Sequence, residues 1–167
     1  MHLPAVSVAQ AVSTLCVVVW LGLARAFKGS FWLTAFIDIG GTTLHELAHF
    51  TVGLLLRAKP VDVDLWPRRE GDSWVLGSVS FAHLTLLNSA FVSMAPLLLF
   101  GLGVLFWRYW AVPAFDGHNW VEWFAACYLT AGCVNSGIPS GTDFRVGAIS
   151  ILMYGLLSYA IWRAVQA

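Results

Sequence analysis

A chain of 167 residues that is 59% hydrophobic and 11% charged, with a mean hydropathy of +0.75, lies far from the balance of a soluble domain. Its formal net charge is zero, which leaves no basic surface for nucleic acid and excludes that class of partner. Cys16, Cys127 and Cys133 all sit in apolar stretches without paired spacing, so they read as buried free thiols and not as a disulfide framework.

These properties predict an all-α integral membrane protein, multi-pass, folded as one membrane-embedded domain over residues 1–167. In chain order, residues 5–24 form the first spanning candidate. No basic segment precedes it, which favours a retained helix over a signal peptide. Residues 31–56 form the second. Next, Val61-Asp62-Val63-Asp64-Leu65-Trp66 alternates apolar and polar side chains, Arg68 to Ser73 reads as a turn, and Val75 to Phe81 is rich in strand formers. The pattern predicts a β-hairpin over 61–81, between the second and third of about five transmembrane helices.

The third span is expected at 84–107, with Pro96 and many small residues inside it. The fourth, 120–134, would rise only about 22 Å, and the fifth covers 144–162. Trp32, Trp107, Trp110, Trp120, Trp123 and Trp162 fall at these proposed ends, where an aromatic belt would place them. Basic residues follow both of the first two spans, so the charge pattern does not fix the orientation.

Inside the second span stands His45-Glu46-Leu47-Ala48-His49, an H-E-x-x-H motif. Residues four apart share a helix face, so two imidazoles can bind one Zn²⁺ while the intervening Glu reaches a water on the metal. Ionisable groups at mid-bilayer cost about 2.5 to 3.5 kcal/mol each on insertion scales. A purely structural membrane helix has no reason to carry three of them within one turn.

A catalytic zinc site needs a third protein ligand. Where a metzincin pattern would put Gly and His the chain has Val52 and Leu55, which excludes that class. Glu70 lies in a charged turn, His83 and His118 lie near membrane boundaries, and Asp38 is about 10 Å along the helix axis from His45 unless Gly40-Gly41 break the helix. Asp143 remains, in Asn135-Ser136-Gly137-Ile138-Pro139-Ser140-Gly141-Thr142-Asp143, where Pro and Gly interrupt the helical pattern. Such a loop is tolerated at membrane depth where it lines a polar cavity. Asp143 equally suits the N-cap of the fifth helix, and both readings stay open.

At these two segments the chain resembles the site-2 protease family of intramembrane zinc metalloproteases. Members carry H-E-x-x-H within one transmembrane helix and a later N-x-x-P-x-P-x-x-D-G-like segment. Here LHELAH matches the first, and Asn135, Pro139 and Asp143 match the second with its Asn-to-Asp step. The chain has one proline at a shifted position and Phe144 in place of the Gly. The resemblance covers roughly Phe31 to Arg145 and implies a minimal core without PDZ or CBS domains.

It implies a zinc metalloendopeptidase that holds one Zn²⁺ on His45, His49 and Asp143, with Glu46 as catalytic base and Asn135 contacting substrate or intermediate. The substrate would be a membrane-spanning or membrane-anchored protein in the lipid bilayer; a regulatory subunit is left open. Two alternatives from other classes are a metal-ion or proton pathway through the same polar cluster and an inactive scaffold that binds client helices through small-residue faces.

Overall fold

A computed structural model describes residues 6–27, 31–66, 68–70, 73–75 and 77–166, with the backbone alone over 31–38, 68–70 and 73–75. The chain is mostly helical. Helix α1 (Val8–Ala26) starts at a capping box: Ser7 Oγ accepts from the Gln10 N–H at 3.2 Å and Gln10 Oε1 accepts from the Ser7 N–H at 3.0 Å. Helix α2 (Phe31–Leu55) runs unbroken through Gly40-Gly41, so the break that would have brought Asp38 nearer the motif does not occur.

Four short strands follow: β1 (Pro60–Asp64), β2 (Arg68–Glu70), β3 (Ser73–Val75) and β4 (Ser78–Phe81). β1 pairs antiparallel with β4, and β2 with β3. The turn expected from Arg68 to Ser73 is therefore too wide, because both of its flanks are drawn into the β2–β3 ladder. Its centre, 71–72, lies outside the described residues.

The third expected span needs the largest correction. Residues 84–88 are not helical, because Asn88 ties up that backbone: its Oδ1 accepts from the Thr85 N–H at 2.7 Å and its Nδ2 donates to the His83 carbonyl at 3.1 Å. A short helix α3 (Ser89–Ser93) then gives way to a 3₁₀ turn (Ala95–Leu97) that contains Pro96. Helix α4 (Leu98–Phe106), a π turn (Trp107–Ala111) and α5 (Val112–Asp116) continue as one rod. In the π turn the Val112 N–H donates to the Trp107 carbonyl, and Pro113, which has no N–H to give, follows it. The apolar rod is thus Ala95–Asp116, 22 residues, displaced toward the C-terminus from the expected 84–107.

Helix α6 (Trp120–Ser136) packs against α1, α2 and α4, and α7 (Gly141–Gln166) packs against α3. Both reach further toward each other than expected, and the nine-residue loop foreseen between Asn135 and Asp143 shrinks to 137–140. The core gathers Val17, Ala111, Ala114, Trp123, Ala126, Cys127 and Ala131. Trp123 belongs to this core and not to an interfacial belt: its Nε1–H donates to Ser13 Oγ at 3.0 Å. Trp107 likewise lies well inside the rod and not at its end. The three cysteines are free, with Cys127 and Cys133 buried.

Among the described residues, three helices are long and apolar enough to cross a membrane: Val8–Ala26, Ala95–Asp116 and Gly141–Gln166. Their outer faces fit that role. On α7, Ile149 is 71% exposed and Leu152 63%, an apolar surface that water would penalise and hydrocarbon would not.

Candidate metal centre

The motif helix supplies two imidazoles on one face, and the geometry around them follows from carbonyls whose partner four residues on is missing. In a continuous helix the Val92 carbonyl would accept from residue 96, but Pro96 has no N–H. His49 Nδ1 takes that carbonyl at 2.8 Å. At the end of α6 the Ser136 carbonyl would accept from residue 140, yet the Ser140 N–H turns to Asp143 Oδ2 at 2.6 Å. His45 Nδ1 takes the Ser136 carbonyl at 2.7 Å. A carbonyl only accepts, so each Nδ1 carries a proton, and a neutral imidazole held this way presents its Nε2 lone pair to the site.

The two Nε2 atoms lie 3.2 Å apart. Asp143 completes the group, with Oδ2 at 3.4 Å from His45 Nε2 and Oδ1 at 3.1 Å from His49 Nε2. Asp143 is not the N-cap. It is the third residue of α7, and Ser140 caps the helix by accepting from the Asp143 N–H at 3.2 Å while its own N–H binds the carboxylate. One carboxylate therefore serves the helix start and the histidine pair together.

Three such atoms facing one point repel unless a metal ion or a proton lies among them. On a tetrahedral Zn²⁺ with Zn–N and Zn–O near 2.0–2.1 Å, neighbouring donors sit about 3.3 Å apart; the separations here are 3.1, 3.2 and 3.4 Å. The residues thus fit a metal ion, and the donor set of two imidazoles and a carboxylate leaves a fourth position for water.

Close helix packing makes this convergence possible. A Cβ on Gly41 would meet Ser136 Oγ and come within 2.9 Å of the Gly132 carbonyl, and one on Gly132 would come within 3.2 Å of the Gly41 nitrogen. Two glycines at the crossing let α6 approach α2 near enough for Ser136 to reach His45.

Glu46 is 9% exposed and His49 6%. Glu46 is covered by the strand region, where Gly77 leads into β4. Asn135 lines a small cavity with Trp20, Tyr128 and Gly132. Of the other candidates weighed from sequence, His83 and His118 are exposed, and the Asp38 and Glu70 side chains lie outside the described residues. The sequence reading did not single out Val92, Ser136 or Gly77. The visible signals were Pro96, able to free a carbonyl, and a lone Gly next to a strand. No protein-family model, curated protein or solved structure matches the chain.

Proposed function

We propose that this chain is an intramembrane zinc metalloprotease that hydrolyses a peptide bond in or near the membrane-spanning segment of a protein substrate. One observation carries the reading: His45, His49 and Asp143 bring three donor atoms to one point beside a buried Glu46, in a chain whose helices suit a bilayer. In this reading α2 and α6 cross the membrane with the three apolar helices, giving five spans with the strand region between the second and third.

A Zn²⁺ bound there would supply Lewis-acid polarisation of the scissile carbonyl and acidify a water at neutral pH. His45, His49 and Asp143 hold the ion, and the Nδ1 bonds to Ser136 and Val92 fix both imidazoles in the ligating tautomer. Glu46 accepts the proton of the attacking water and passes it to the departing amide nitrogen. The substrate lies extended. Added to a free edge of the β1–β4 pair, it would run past Glu46, because Gly77, just before β4, lies so close to that side chain that a Cβ there would collide with it. Asn135, at the end of α6, contacts substrate or intermediate.

The test is Glu46→Gln in protein reconstituted with a single-span polypeptide substrate. Loss of the general base predicts a fall in cleavage of about 10²- to 10⁴-fold with zinc still bound. Unchanged cleavage would sink the proposal, and metal-dependent ion flux without cleavage would point to the transport alternative.

A further inference from the structure

The strand region touches the motif helix at one point that the mechanism above does not explain. A Cβ built on Gly77 would lie 2.7 Å from Glu46 Cγ, 3.3 Å from the Thr42 methyl and 3.4 Å from the Asp64 carbonyl. Thr42 and Glu46 are one helical turn apart on α2, so they share the face on which Gly77 rests. The Asp64 carbonyl belongs to β1, the strand paired with β4. Gly77 therefore lies close to both the motif helix and β1, where a side chain would press on the Glu46 stem.

We propose that Gly77 is a positioning residue for Glu46: its bare Cα sets the wall against which the glutamate stem lies, and so fixes where the carboxylate sits relative to the metal triad. This rests on the protease reading. A methyl group at position 77 would drive Glu46 Cγ away by roughly 0.8 Å to reach an ordinary carbon–carbon contact. A displacement near 1 Å at a reacting group costs up to about 10²-fold in rate. The metal ligands themselves are untouched, because His45 and His49 are held by the Ser136 and Val92 carbonyls on other elements.

The experiment uses full-length protein in proteoliposomes with an internally quenched single-span polypeptide. Gly77→Ala is expected to lower kcat roughly 10- to 100-fold while KM stays within about twofold and metal content equals the parent's. In a Glu46→Ala background no γ carbon is left for the methyl group to meet, so adding Gly77→Ala is expected to change the residual kcat less than about threefold. That background also keeps the comparison available if Gly77→Ala alone binds less metal. As a readout independent of activity, a Glu46→Cys/Gly77→Cys pair, with the native cysteines replaced by alanine, is expected to cross-link on oxidation.

Gly77→Ala with parental activity, an equal loss in both backgrounds, or no cross-link would each overturn the inference. A parent that binds metal and cleaves nothing would overturn the protease reading and this inference together, whereas a cleaving parent with an indifferent Gly77→Ala would overturn this one alone.

Discussion

Asp143 joins two jobs that the sequence presents as rivals. Its backbone N–H binds Ser140 Oγ, its Oδ2 accepts from the Ser140 N–H, and the same carboxylate faces both imidazoles. Ser140→Ala should therefore cost about 1 kcal/mol of stability, as loss of a helix cap does, and should also weaken metal binding by loosening the carboxylate. Thermal unfolding and a metal titration on the same sample would check both effects; a stability loss with unchanged metal affinity would separate the cap from the site. Asn135, which spacing aligned with the family segment, lines a small cavity with Trp20 and Tyr128; spacing alone does not say which way a residue at a helix end points.

Among the elements, the sequence marks the motif helix, the two later apolar rods and the strand-rich segment, because periodicity and hydropathy act locally. It misses the breaks. Residues 84–88 read as part of a span by composition, but the Asn88 side chain competes for that backbone. Such tertiary hydrogen bonds leave no periodic trace. The site depends on the breaks, since Pro96 is what leaves the Val92 carbonyl for His49. Pro96→Ala would restore an N–H able to compete for that carbonyl, and metal affinity is expected to fall about 10-fold or more, the effect typical of lost outer-shell support. An affinity equal to the parent's would show that His49 needs no such partner. The crossing of α2 and α6 gives a second element-level expectation. Gly132→Ala should separate the helices and weaken metal binding, whereas Gly22→Ala, which meets nothing within 4 Å, should leave it unchanged.

For the whole molecule, composition told the class correctly as mostly helical and apolar, and the motif pair named the three side chains that converge across 98 residues of chain from His45 to Asp143. What it could not convey is how α6 and α7 are brought to α2, which rests on Gly41 against Gly132 and on the short 137–140 link. The account predicts that the protein remains with the bilayer after alkaline carbonate extraction, given the exposed aliphatic face of α7. The most direct test of the central claim is zinc content per molecule of purified protein, comparing the parent with Asp143→Ala and His49→Ala. The account predicts one zinc in the parent, lost or much weakened in both variants. Zinc retained by Asp143→Ala and lost by His49→Ala, or no zinc in any form, would contradict it.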